Sequence, residues 1–376
     1  MMAPKITIKT TQRPKISLVG GGHTHALVLA RLSQKPLHDC EVTLINPGPI
    51  AIYSGMLPGF IAGHYDRTEL QIDLKDLADK AGGRFIDARA TGIDLNQRSV
   101  ILETGERLEY DLASLDIGAT TQLTDLHGFQ DFGVPVKPLT AFMDAWQVYK
   151  TAASAKSIVI IGGGLAGVEV AMAIAFALRS HPQPVDISII DRHEILSSST
   201  PSVRTRIKTA LQDIGVSFFE YEDIKQITKD SVCLRSGRTF SANFNLATSG
   251  AVPHNWIAHT GLDLHEGFIR VDEHLQTQSK GVFAVGDCAH LSTDPRPKAG
   301  VYAVRQAPVL LDNLRRSITG EALKRYRPQK DYMKLISLGG KTAIIEKHGF
   351  ALSGAWVWRL KDRIDRAFIR RLTTSE

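Results

Sequence analysis

The chain has 376 residues, 43% apolar and 22% charged, which suits two domains with a smaller appendage and allows a large buried core. Forty-five basic against 39 acidic side chains leave a net charge of +6, about half of it in the last twenty or so residues; this gives no case for nucleic acid and makes any electrostatic partner local to the tail. Three cysteines, Cys40, Cys233 and Cys288, are odd in number and far apart, which argues against a disulfide scaffold and for a reducing, cytoplasmic compartment.

Residues 1–14 are polar and basic, lack the apolar segment of a secretory signal and read as a flexible lead-in. Ile16–Val19 is then a β-type run, and Gly20-Gly21-Gly22-His23-Thr24-His25 leads into a helical pattern over Ala26–Leu32. Strand, glycine turn and helix in that order point backbone N–H groups and a helix N-terminus at a pyrophosphate, so Gly20, Gly22, His23 and Thr24 are candidate cofactor contacts. His25 stands at the third glycine position, where tight helix-on-strand packing is the norm; it requires a wider approach or an imidazole facing the ligand. His23 and His25 lack further ligands at metal spacing, and no metal site is assigned. Asn46 ends the second strand, Glu41–Ile45, where an acidic residue would hold a ribose; its amide can still hydrogen-bond a hydroxyl. A hairpin, Ser99–Glu103 against Arg107–Tyr110, precedes Ser114–Ala119, with Gly118 closing the unit.

The longest apolar stretch, Ile158–Leu178, has the length of a membrane span, yet Gly162, Gly163, Gly164 and Glu169 interrupt it and favour a buried strand, turn and helix. It forms a second cradle of regular spacing, with Gly162, Gly164, Leu165 and Gly167. Asp191 follows Gly167 by 24 residues, at the end of the strand Asp186–Ile190, where a carboxylate accepts from ribose hydroxyls and repels a 2′-phosphate. That favours NADH, and Arg192 keeps NADPH open. The hairpin turning at Ser236-Gly237 and the closing Gly250 repeat the first unit. Gly20 to Gly118 and Gly162 to Gly250 span 98 and 88 residues, as one duplicated nucleotide-binding plan would. Two cradles imply two dinucleotides. Glu169, just beyond the last glycine, reads either as a helix-dipole carboxylate or as a functional one.

Val282–Val285 leads to the Gly286-Asp287 turn, and Pro297 and Gly300 mark the start of a helix whose apolar face runs through Val304, Leu310 and Leu314. After Arg325 come a hairpin, Lys334–Leu338 and Thr342–Glu346, and a basic helix. Gly340-Lys341-Thr342 is not a P-loop, because Leu335 stands where the first glycine is required. Val357, Leu360, Ile364, Phe368 and Leu372 form a stripe at helical spacing, with Trp356 and Trp358 at its start and arginines on its flanks. Such a helix fits an anionic membrane surface, the protein's own flavin domain or a second copy of the chain.

The order of these elements resembles the two-dinucleotide-binding flavoprotein superfamily. The fold implied is α/β, with two Rossmann-like domains, for FAD (15–120 and 251–325) and NAD(P)H (121–250), and a C-terminal hairpin with an amphipathic helix (326–376). By that resemblance Asp287 lies near the flavin ribityl chain, and the N–H groups of Ala299, Gly300 and Val301, with Lys298, stabilise the reduced flavin. Glu169 matches a glutamate of type II NADH dehydrogenases that lies near where nicotinamide stacks on flavin, and Gln306 loosely matches their quinone-side glutamine. Tyr53–Gly59, Lys298–Gln306 and Gly354–Arg366 resemble the flavoprotein module found alone or fused ahead of selenophosphate synthetase. That module itself resembles type II NADH dehydrogenases and sulfide:quinone oxidoreductases. No close cysteine pair is present to cycle through a disulfide, so the acceptor reaches the flavin directly, and a quinone fits. A selenium- or sulfur-species oxidoreductase and a non-enzymatic flavin–nicotinamide sensor are the alternatives.

Overall fold

A computed structural model describes residues 13–373 other than 122, 124 and 249. Of the expected flexible segment 1–14, all but the last two residues lie outside the described residues.

Two five-stranded parallel sheets organise the molecule. In the first, the strands run in the order Val282–Ala284, Leu112–Leu115, Lys15–Val19, Glu41–Asn46, Arg84–Asp87. In the second, the order is Gly133–Pro135, Phe244–Ala247, Lys156–Ile161, Val185–Ile190, Val216–Phe219. Each cradle strand is central, flanked by the strand that follows it and by the strand that closes its unit. The equivalence extends to register: Ser17 lies between Thr43 and Ala113, and Val159 between Ser188 and Asn245. Nearly continuous apolar runs form these strands because the interior strands of a parallel sheet are covered on both faces.

The run Ile158–Leu178 divides as expected into a strand, a turn and the helix Leu165–Leu178, which is apolar on almost every side and accordingly buried. Among the described residues, no helix is long and apolar enough to cross a membrane. Each sheet has its own core, and the C-terminal unit touches both.

That unit holds a strand the sequence pattern did not reveal. Lys334–Ser337 and Ala343–Lys347 pair as a hairpin, and Phe350–Gly354 adds a third antiparallel strand before the helix Ala355–Thr373. Of the alternatives for the apolar stripe on this helix, packing on the protein's own body accounts for most of it. Val357, Phe368 and Leu372 are buried in the protein itself, and Ile364 is left 39% exposed. Two polar clamps fasten the helix: Tyr53 donates to Asp365 (3.0 Å), which pairs with Lys361 (2.6 Å), and Tyr65 donates to Asp362 (2.8 Å), which pairs with Arg366 (2.9 Å).

Candidate functional site

The first cradle is built around a buried carboxylate. The backbone of Gly20 takes φ +92°, and a Cβ there would overlap the Asp116 carbonyl. One at Gly22 would overlap the Asp116 side chain, so both glycines are required by a residue nearly a hundred positions away. Asp116 Oδ2 accepts from the Thr24 (2.8 Å) and His25 (3.0 Å) amides, capping the helix His23–Gln34 from the end of a neighbouring strand. It is 2% exposed, and burial pushes it up to about 7.

His25 does not face a ligand. Its ring is fully buried, with Nδ1 2.7 Å from the Gly20 carbonyl and Nε2 2.8 Å from Ser114 Oγ. A carbonyl only accepts, so Nδ1 carries the proton and Nε2 accepts from the serine. Burial lowers its proton affinity to about 4 and keeps it neutral. Thr24 also turns inward, its hydroxyl donating to the Ala303 carbonyl at 2.9 Å. His23 is half-buried, edge-on to Tyr53 (5.5 Å) and Phe368 (5.7 Å) and beside Gly300.

Asn46 and Asp191 occupy equivalent places and make the same bond. Asn46 Oδ1 accepts from the Gly21 amide at 2.8 Å, and Asp191 Oδ2 from the Gly163 amide at 2.6 Å. Asp191 Oδ1 also accepts from the His193 amide at 2.7 Å, which fixes the carboxylate at the strand end. In this second cradle a Cβ on Gly167 would overlap the Gly162 carbonyl, and Thr248 donates to that carbonyl at 2.9 Å, the contact that His25 supplies in the first. Gly164 differs from Gly22. It has an ordinary φ of −69°, and a Cβ there would meet no protein atom within 4 Å.

At the Gly-Asp turn, Asp287 pairs with Lys137 at 2.8 Å, a bond that joins segments of the two sheets. Gln306 is 7% exposed and its Oε1 accepts from the Gly286 amide at 2.7 Å, so it is an internal strut and not a surface amide. Lys298 turns back, donating to the Ala289 carbonyl over the ring of Phe268, and burial lowers its proton affinity. The helix Gly300–Thr319 starts from Ala299 with Gly300 exposed and Val301 half-buried, leaving its N-terminus open. Gly118 and Gly250 close their units with φ of +67° and +59°.

Glu169 lies beyond the first turn of its helix, so the dipole does not account for it. Its Oε1 accepts from the Ser337 amide at 2.7 Å. Burial pushes its carboxyl up, Lys361 opposes this and Asp365 reinforces it, so Glu169 is tied to the C-terminal unit. His23, Tyr53, Asp365 and Lys361 connect it to the first cradle.

The family model for pyridine nucleotide-disulphide oxidoreductases matches residues 14–307. The chain belongs to that family. The NADH dehydrogenase-like protein YutJ of Bacillus subtilis is 24% identical over 88% of this chain and 91% of its own length. The demethylphylloquinone reductase NdbB of Synechocystis is 27% identical over 92% of this chain and 89% of its own length. The fold matches that of the sulfide:quinone oxidoreductase of Aquifex aeolicus with a TM-score of 0.79 at 17% identity, covering 96% and 91% of the two chains.

This oxidoreductase is thus an FAD-dependent NAD(P)H enzyme, and its cradles fit those groups. The empty space beside Gly164 suits a close-lying diphosphate, because neither backbone conformation nor any protein neighbour demands glycine there. Among the described residues its three thiols are free, and Cys288 is fully buried with its pKa raised to about 12, a structural thiol. Sequence reading missed Asp116, which sits in an apolar strand end, and Lys137, whose partner is 150 positions away. A charged residue inside the run Leu115–Ile117 was the available signal for the first; none marked the second.

Proposed function

We propose that the enzyme oxidises NADH at the second cradle and passes the electrons through FAD to a quinone. The carrying observation is Asp191, pinned by two backbone amides at the strand end beside the open Gly162–Gly167 turn, where its charge suits ribose hydroxyls and opposes a 2′-phosphate. Relatives named for NADH and for demethylphylloquinone support the reading, as do three separated thiols that leave no protein disulfide to carry electrons.

Bound nicotinamide and flavin supply the hydride chemistry. In this reading the segments 15–120 and 251–325 hold FAD and 121–250 holds the nicotinamide. Gly20, Gly22, His23 and Asn46 shape the first cradle, with Thr24 and His25 acting from behind it. Gly162, Gly164, Leu165 and Gly167 present the second; Gly118 closes the first unit and Gly250 the second. Asp287, steadied by Lys137, and the N-terminal amides of the helix at Ala299, Gly300 and Val301 orient the flavin and favour negative charge on it. Lys298 and Gln306 position that turn and helix. Glu169, whose carboxyl burial pushes up against the opposing Lys361, lies at the acceptor side. The exposed Phe350 (82%), Leu352 (60%) and Trp356 (50%), beside Arg359 and Arg363, form a membrane-surface contact through which a lipid-soluble quinone arrives.

Under anaerobic conditions NADH bleaches the bound flavin rapidly, NADPH does so more slowly, and a soluble quinone restores the colour. Slow bleaching by both nucleotides would remove this reading.

A further inference from the structure

Asp116 is an acid placed where an anion has to bind. Its carboxylate takes the amides of Thr24 and His25, two of the donors that a cradle helix offers to a diphosphate, and it lies against Gly22 and Gly286, the glycines of both FAD turns. Nothing cationic touches it among the described residues. The charged and titratable groups around it are Asp287 on the Gly-Asp turn, already paired with Lys137, neutral His25 on the cradle helix and buried Cys288; the same turns also carry neutral His23 and Lys298, which is engaged with the Ala289 carbonyl. A buried carboxylate without a counter-ion is strongly disfavoured, and a diphosphate brought to the same turn adds like charge to it.

We propose that Asp116 takes up a proton when FAD binds, so that the first cradle closes on the cofactor with this carboxyl neutral. The protonated acid keeps the bonds that position the helix: one oxygen still accepts from Thr24 and His25, and the repulsion of the diphosphate disappears. The proton comes from solvent and returns to it when FAD leaves. The ionised form is already costly before FAD arrives, because burial places the titration of Asp116 near neutral. Binding then raises its proton affinity further, so affinity is full below that titration and falls as pH rises beyond it, by up to about tenfold per pH unit for one linked proton.

This inference rests on the first cradle being the FAD site. Apoprotein is prepared from the purified full-length holoprotein and titrated with FAD calorimetrically, in buffers of different protonation enthalpy. The expected result is up to about one proton taken up per FAD, FAD binding that weakens across the alkaline range, and neither effect in Asp116→Asn, whose amide oxygen retains the two bonds. Carboxyl-labelled aspartate NMR of the unsubstituted protein is the second measurement: one resonance titrates near neutral without FAD and shifts to higher pH with it. FAD binding without proton uptake, or with equal uptake in Asp116→Asn, overturns the inference and leaves the cofactor assignment standing. A protein that binds no FAD overturns both.

Discussion

His25 and Asp116 are buried side by side at the first cradle, and pH acts on them in opposite directions. The proton affinity of His25 is lowered, so its contribution to stability is complete above pH 6.5 and is lost as pH falls toward 4. That of Asp116 is raised, so its contribution is complete below pH 3.8 and is lost as pH rises toward 7. Relative to the parent, Asp116→Asn apoprotein therefore gains stability progressively across that range, on the order of 4 kcal/mol at its upper end, in urea unfolding at a series of pH values. A pH-independent difference between the two proteins contradicts this. His25→Ala leaves the Gly20 carbonyl and Ser114 hydroxyl without their partner and opens a cavity, and it costs about 3 kcal/mol in the same assay at neutral pH. The oddity of His25 was legible in the sequence, because the third glycine position is a defined place. Its solution was not, because Ser114 is 89 residues away and meets the ring only when the closing strand pairs with the cradle strand.

The C-terminal helix shows the same division one level up. Its length, its basic flanks and the spacing of Lys361 to Asp365 and Asp362 to Arg366 are local and readable. Tyr53, Gly55, Tyr65 and Glu69, which complete the clamps, come from about 300 residues earlier. The two clamps differ in depth. Lys361 and Asp365 are 13% and 7% exposed, so Asp365→Ala strands a buried ammonium and destabilises the protein by about 3–5 kcal/mol in thermal or urea unfolding. Arg366→Ala removes a half-exposed cation and costs under about 1 kcal/mol. Equal effects would mean that the inner pair is no better shielded than the outer one. The strand Phe350–Gly354 went unread because its large apolar side chains, Phe350 and Leu352, point outward, so alternation carried no sign of a core behind it. Replacing Phe350, Leu352 and Trp356 together by serine abolishes flotation with anionic liposomes while the flavin spectrum is retained; unchanged flotation removes the membrane contact.

Across the whole molecule, the two like-built sheets are joined at the Gly-Asp turn by Lys137 and Asp287. Lys137→Met leaves a carboxylate only 20% exposed without its cation, and FAD dissociation, followed by the rise in free-flavin fluorescence, becomes easier by about tenfold. Unchanged retention would place Asp287 outside the flavin site.

The amino-acid sequence by itself determined the duplicated strand, glycine-turn and helix plan and the regularity of the second cradle. These follow from apolar periodicity and from glycine spacing, which act within a few tens of residues. Only the tertiary structure decided what fills each cradle from behind. Gly22 is held by Asp116, Gly20 is bonded by His25, Gly286 is bonded by Gln306, and Gly164 is left facing open space. The physical reason is that steric demand and desolvation are set by neighbours in space, and parallel sheets bring those neighbours from distant parts of the chain.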